Sequence, residues 1–360
     1  MSETLIHEAA RRFTATFGDL PAGTVFVPGR VNLIGEHVDY NDGLVLPMTV
    51  REGTAVSWAR ADHAHISIRA ADLGESDHFA SSEPPRPHDT SWRSYVRGMV
   101  AELGLPADAG VDMLVHGNLP RGSGLSSSAS FCVALGRALN DALGLGLDAI
   151  SLAKAAQRTE HEWAGVACGI MDQVAVAAGN AGRALLLDCR DLAMQQFALP
   201  PDWAVAIVDS GVTRGLVDGE YNSRREQCEK AARKLGLASL RDADRGSLDN
   251  ANLSALEYKR ALHVVDEITR VRRASEAIAA SDLEAMTCVL REGHVSLRDL
   301  FEVSVPLVDR LVEAVDDILK ERGAARMTGA GFGGSIVVVL ERAALPELQQ
   351  ALDRPVRPVF

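Results

Sequence analysis

The stretch from Val111 to Gly144 narrows the possible folds more than any other part of the chain. A strand-like stretch, Val111 to Val115, leads into Leu119-Pro120-Arg121-Gly122-Ser123-Gly124-Leu125-Ser126-Ser127-Ser128-Ala129-Ser130. Apolar residues then recur at 131, 135, 138, 139 and 143, with a glycine at 144. This spacing predicts a strand, a glycine loop and a helix. Each part has a reason if an anion binds there. Glycines let backbone N–H groups approach phosphate oxygens, the helix N-terminus adds roughly half a positive charge, and serine hydroxyls can ligate a hard divalent cation. A helix capped by its own serines would read the same way, so the segment by itself leaves both readings open.

Three further segments carry chemistry-bearing residues. Arg30, Glu36, His37 and Asp39 crowd a loop that follows the strand-like Val25 to Val27. Oriented carboxylates and an imidazole suit a polyol, but a salt-bridged surface loop or a metal site from His37 and Asp39 would look similar. Asp172 sits between a glycine turn and a helix start, where it can complement the helix dipole or act as a general base. Glu160, twelve residues earlier, can ligate a cation or belong to a solvated face with Glu162. Near the end, Gly329-Ala330-Gly331-Phe332-Gly333-Gly334 matches G-x-G-x-x-G. A strand follows it where a dinucleotide fold requires a helix, so that reading is rejected in favour of a glycine hairpin or a close backbone approach to a ligand. No P-loop and no protein-kinase H-R-D with D-F-G is present.

Composition limits the rest. The 360 residues contain 37 Lys+Arg and 49 Asp+Glu, a net charge of −12, which argues against nucleic acid as a partner. Five scattered cysteines with no C-x-x-C pair fit neither a disulfide framework nor a zinc site, and a reducing compartment is expected. No apolar h-region opens the chain and no run approaches the length of a membrane span, so a cytoplasmic protein without a membrane partner is expected. Length predicts two domains, 1–178 and 179–360, with the boundary near Gly179-Asn180. Helical patterns dominate Ser223 to Arg322, and a strand is expected over Ser335 to Leu340.

In this order and at these spacings, three segments together resemble the signatures of the GHMP small-molecule kinases and, within them, of galactokinases. They are Gly29 to Asn41, Leu119 to Ser130 and Met327 to Gly334. The resemblance implies an α+β fold with a ribosomal protein S5 domain 2-like N-terminal lobe and a ferredoxin-like C-terminal lobe. It implies ATP as co-substrate, Mg²⁺ as cofactor, and transfer of a phosphoryl group to the anomeric 1-hydroxyl of galactose. Carried over by position, Asp172 is the base, which also touches the sugar, and Arg30 is its charge partner and transition-state stabiliser. Glu36, His37, Asp39 and Tyr221 hold sugar hydroxyls. Gly122, Ser123, Gly124, Leu125, Ser126, Ser127 and Ser128 cradle the ATP phosphates, with Ser128 and Glu160 as Mg²⁺ ligands. Trp92 and Tyr95 match a family segment near the nucleotide.

Val38 stands where the family usually has Thr, Asp42 where a small or polar residue is common, and Ala330 where a glycine is frequent. Val38 removes a hydroxyl beside the sugar-binding carboxylates, which leaves relatives acting on N-acetylgalactosamine or L-arabinose as alternatives. A non-catalytic sugar and ATP sensor is the alternative from another class. The intact Ser126-Ser127-Ser128-Ala129 run and Asp172 count against it. A monomer is expected.

Overall fold

The structure, a computed structural model, describes residues 2–82, 84, 86, 91–120, 124–212 and 217–359. In chain order it opens with α1 (Ser2–Phe17), β1 (Gly23–Asn32), β2 (Leu44–Val45), β3 (Pro47–Arg60), β4 (His65–Ala70) and β5 (Glu75–Ala80). Then come α2 (Trp92–Leu103), β6 (Val111–Gly117), α3 (Ser127–Leu143), α4 (Ala149–Ala164) and α5 (Met171–Ala178). The second half holds β7 (Arg183–Asp188), β8 (Met194–Ala198), β9 (Trp203–Asp209), α6 (Val217–Leu235), α7 (Arg245–Asp249), α8 (Ala255–Ala280), α9 (Leu283–Asp299) and α10 (Pro306–Leu319). It closes with β10 (Gly323–Thr328), β11 (Ser335–Glu341), α11 (Leu345–Ala351) and β12 (Val356–Pro358).

Contacts along the chain divide it into two units. Among the described residues, 2–30, 50–120 and 125–178 form one, and 31–49, 124 and 179–359 form the other. Residues 31–49, placed by the sequence reading in the first half, therefore pack with the second.

In the first unit β3 pairs with β1 and β6, β6 runs parallel to β4, and β4 pairs antiparallel with β5. Leu5, Ala9 and Phe13 recur every four residues on α1 and bury one stripe of it against Ala55 and Leu114. Local signals in the sequence set the helix ends. Asp148 caps α4 by accepting from Ser151 N at 2.7 Å. Gly144 ends α3 in a left-handed conformation, φ 64°, that costs glycine little.

The second unit is built on an antiparallel sheet of order β10-β11-β9-β12. Its middle strands β9 and β11 are buried along nearly their whole length, and α9 and α10 pack on β10 and β11. β7 pairs antiparallel with β2, with β8 and, at Met48↔Ala184, with the start of β3. The sequence reading did not foresee β8 or β10, whose residues MQQFA and GAARMT lack a β-branched run. Thr328 pairs with Ser335, so the glycine-rich motif is a hairpin loop. Gly329, Gly331, Phe332, Gly333 and Gly334 all have φ between 58° and 126°, a region that explains the glycines. A Cβ on Gly331 would lie 2.5 Å from the carbonyl oxygen of Val303, whose oxygen also accepts from Phe332 N at 2.7 Å.

Candidate active site

In the first unit β1 delivers Arg30 and the first turn of α5 delivers Asp172. Arg30 Nε lies 2.7 Å and Nη2 2.6 Å from Asp172 Oδ1, with the arginine buried and the aspartate side chain 27% exposed. The other aspartate oxygen, Oδ2, accepts from Ser126 Oγ at 2.6 Å. Ser126 stands at the N-cap position of α3 with φ 56°, a left-handed conformation costing roughly 1–2 kcal/mol in a non-glycine residue. Its hydroxyl serves Asp172 and does not cap the helix, so the first turn of α3 has no side-chain cap. That outcome favours the anion-binding reading of the loop over the serine-capped helix, because the orphan N–H groups of the helix still need an acceptor.

Gly29 explains how strand and loop come so close. A Cβ there would lie 2.5 Å from Leu119 Cδ2 and 2.6 Å from the Leu125 carbonyl oxygen. That carbonyl accepts from Arg30 N at 3.1 Å, which ties the arginine to the loop. Leu125 is buried, Gly124 and Ser128 are half-buried, and Ser127 is exposed. Gly122 and Ser123, which the sequence reading also placed on the phosphates, lie outside the described residues, as does Arg121.

Ser128 Oγ donates to Glu160 Oε2 at 3.2 Å, and Gln173 Nε2 donates to Glu160 Oε1 at 2.9 Å. Glu160 is only 5% exposed. Burial pushes its carboxyl up to about 7; the amide of Gln173 opposes that shift, and the charge of Asp172 adds to it. No basic side chain hydrogen-bonds to Glu160 among the described residues, and one carboxylate beside a hydroxyl is a hard oxygen set of the kind Mg²⁺ takes. Ser130 has a structural use, donating to the Val27 carbonyl oxygen at 2.9 Å. Trp92 donates its indole N–H to Glu75, and Tyr95 meets Phe131 edge-on.

In the second unit the loop after β1 is anchored by buried charge. Arg326 Nη2 donates to Glu36 Oε2 and, at 2.8 Å, to Glu267 Oε1, with all three side chains at most 1% exposed. Glu267 also accepts from Gly35 N at 3.0 Å and from Arg270 Nε at 2.7 Å. Burial opposes ionisation of Glu267, but Arg326 and Arg270 hold its carboxyl well below the usual range. Burial pushes the Glu36 carboxyl up, against the pull of Arg326.

His37 takes φ 62° and is closed in on both ring nitrogens. Nε2 lies 3.2 Å from the Ala330 carbonyl oxygen, which only accepts, so in the neutral ring Nδ1 accepts from Tyr40 Oη at 2.8 Å. Tyr221, far away in sequence on α6, packs its ring 5.3 Å from that of His37 and 5.5 Å from that of Tyr40. Asp39 and Tyr221 are half-buried. The structure thus brings Glu36, His37 and Tyr221 together with the hairpin residues Gly329 and Ala330. Val38 is fully buried and packs against Gly43, where a Cβ would lie 2.7 Å from Val38 Cβ.

Sequence reasoning missed Arg326, Glu267, Gln173 and the link from Ser126 to Asp172. Gln173 stands beside Asp172 in Met171-Asp172-Gln173, and its burial on a short helix is the signal that could have singled it out. No group of three or more His, Cys, Asp or Glu arranged to hold a metal occurs among the described residues. No helix among them is long and apolar enough to cross a membrane.

Comparison with known proteins identifies the family of the chain. Residues 11–60 match the family model described as the galactokinase galactose-binding signature, 94–180 the GHMP kinases N terminal domain, and 274–357 the GHMP kinases C terminal domain. The crystal structure of Lactococcus lactis galactokinase complexed with galactose superposes with a TM-score of 0.89 at 31% identity, covering 96% of this chain and 92% of that one. Methanococcus jannaschii mevalonate kinase has a TM-score of 0.66 at 16% identity, covering 93% and 97% of the two chains. Streptococcus pneumoniae phosphomevalonate kinase in complex with phosphomevalonate and AMPPNP has 0.67 at 15%, covering 91% and 95%. These last two share the fold. The galactose-binding signature covers Arg30, Glu36, His37 and Asp39, and the N-terminal domain match covers Ser126, Ser128, Glu160, Asp172 and Gln173. The chain belongs to the GHMP kinases and, within them, to the galactokinase family.

Proposed function

We infer that the chain is a galactokinase, which transfers the terminal phosphoryl group of ATP to the anomeric hydroxyl of galactose and releases galactose 1-phosphate and ADP. The observation that carries this reading is the Arg30–Asp172 pair, with Ser126 holding the second aspartate oxygen, in a chain of this family. Phosphoryl transfer needs positioning and charge stabilisation more than covalent chemistry. Asp172 accepts the proton of the sugar hydroxyl, and Arg30 holds the carboxylate in place and stabilises negative charge as it develops. The uncapped first turn of α3, with Gly124, Leu125, Ser126, Ser127 and Ser128, holds the ATP phosphates by backbone N–H groups and hydroxyls. Gly122 and Ser123 belong to the same assignment.

Asp39 and Tyr221 meet sugar hydroxyls. Glu36 and His37, closed in by Arg326, Gly329, Tyr40 and Ala330, serve the sugar by fixing the backbone that carries Asp39. Ser128 and Glu160 would hold Mg²⁺, which supplies neutralisation of phosphate charge when bound. Five scattered cysteines with no C-x-x-C pair support a reducing compartment, the cytoplasm, and the working form is taken as a monomer.

The test is ADP release from Mg²⁺ and ATP with galactose, N-acetylgalactosamine, L-arabinose, glucose or no sugar. Turnover strongest with galactose supports the reading. Turnover strongest with another sugar moves the specificity, and saturable binding of galactose and ATP without turnover makes the chain a sensor.

A further inference from the structure

We propose that Gln173 is a positioning residue for the metal site: its amide N–H group orients the Glu160 carboxylate, and its side-chain oxygen accepts from water bound to the cation. The inference rests on Glu160 being a Mg²⁺ ligand, as proposed above.

Gln173 is fully buried, and its Nε2 lies 2.9 Å from Glu160 Oε1 and 3.4 Å from Cys168 Sγ. As a cation ligand Glu160 is ionised and only accepts, so the nitrogen faces it and the amide cannot be turned over without setting oxygen against oxygen. Ser128 donates to the other carboxylate oxygen, so both oxygens of Glu160 have a donor that fixes their direction. The remaining atom of the amide, Gln173 Oε1, is buried and has no hydrogen-bond partner among the described residues. A buried acceptor left without a donor is destabilising, so a donor is expected to reach it. This acceptor belongs to the same amide whose nitrogen donates to Glu160, a carboxylate suited to Mg²⁺, and Mg²⁺ keeps several of its waters when it binds protein. Those waters are donors. One helix turn therefore serves both parts of the reaction, with Asp172 turned to Arg30 and the next residue turned to Glu160.

Partners of this kind typically change metal affinity or activity by about 10–100-fold when removed. The experiment measures binding of a non-hydrolysable ATP analogue with and without Mg²⁺ by calorimetry. It compares the intact protein with Gln173→Met, which keeps the side-chain length, Glu160→Gln, and the double variant. In Gln173→Met the factor by which Mg²⁺ strengthens binding should shrink about 10-fold or more. Metal-free binding should stay as in the parent, and Glu160→Gln should show no further loss when Gln173→Met is added. Gln173→Asn, one methylene too short to reach Glu160, should behave like Gln173→Met and carries the test if the methionine variant melts early.

An unchanged Mg²⁺ factor in both Gln173 variants, with the factor lost in Glu160→Gln, would overturn this proposal and leave Glu160 as a ligand. Equal weakening with and without Mg²⁺ would also overturn it, since that marks a packing role. A factor unchanged in Glu160→Gln would overturn the ligand assignment and this proposal with it.

Discussion

Arg30 and Asp172 stand 142 positions apart in the chain, and their charged groups meet at 2.6 Å. Ser126 completes the arrangement, so neither oxygen of the aspartate lacks a donor. A carboxylate held this way is oriented before substrate arrives, and catalysis by position depends on that.

Asp172→Asn should bind galactose and ATP and turn over about 10²–10⁴-fold more slowly, the usual loss on removing a general base. Single-turnover ADP release checks the rate, and calorimetry checks binding. Near-normal turnover in a clean preparation would remove Asp172 from the base role.

Arg326→Met should be destabilising by about 3–5 kcal/mol, because it leaves Glu36 and Glu267 as buried carboxylates without the arginine they share. Urea unfolding at constant pH measures this. A midpoint within error of the parent would mean that the two carboxylates find other partners.

Glu160→Gln should change how stability depends on pH in metal-free buffer. Burial raises the Glu160 carboxyl to about 7 in the folded protein, from its ordinary value of 4.5 in the unfolded chain. Between those values the folded protein keeps a proton that the unfolded chain has released. The group's contribution is therefore complete below about 4.5 and lost as pH rises through about 7. His263, depressed by burial to about 4, acts with the opposite sign, so the parent curve mixes both effects. The difference curve isolates Glu160: the variant should gain on the parent as pH rises from about 4.5 to about 7, by at most about 1.4 kcal/mol per unit. A flat difference would contradict the raised carboxyl.

Gly29→Ala should destabilise by about 1–3 kcal/mol, the usual range for overpacking, because its Cβ would press on Leu119 and on the Leu125 carbonyl. ATP binding should weaken along with stability, since the same backbone carries Arg30 and the phosphate loop. Thermal unfolding and analogue titration check the two effects. Unchanged values in both would mean that the strand shifts without cost.

Elements with a strong local signal were legible in the sequence. Gly144 ends α3 as its place after the apolar spacing indicates, and β11, expected over Ser335 to Leu340, reads as an apolar run because it is buried on both faces. β10 was not legible: its small residues become a strand only because β11 pairs with them from Thr328↔Ser335 to Gly323↔Leu340.

The sequence by itself determined which residue types are present and where they recur: glycines where backbones approach closely, serines at a helix start, and carboxylates beside apolar runs. Those are local properties, set by backbone freedom and side-chain chemistry. Which oxygen of Asp172 faces Arg30 and which faces Ser126, how Arg326 is shared by Glu36 and Glu267, and which way the Gln173 amide points were decided by tertiary structure alone. Each depends on burial, because a charge or amide removed from water must take whatever partner the packing brings to it.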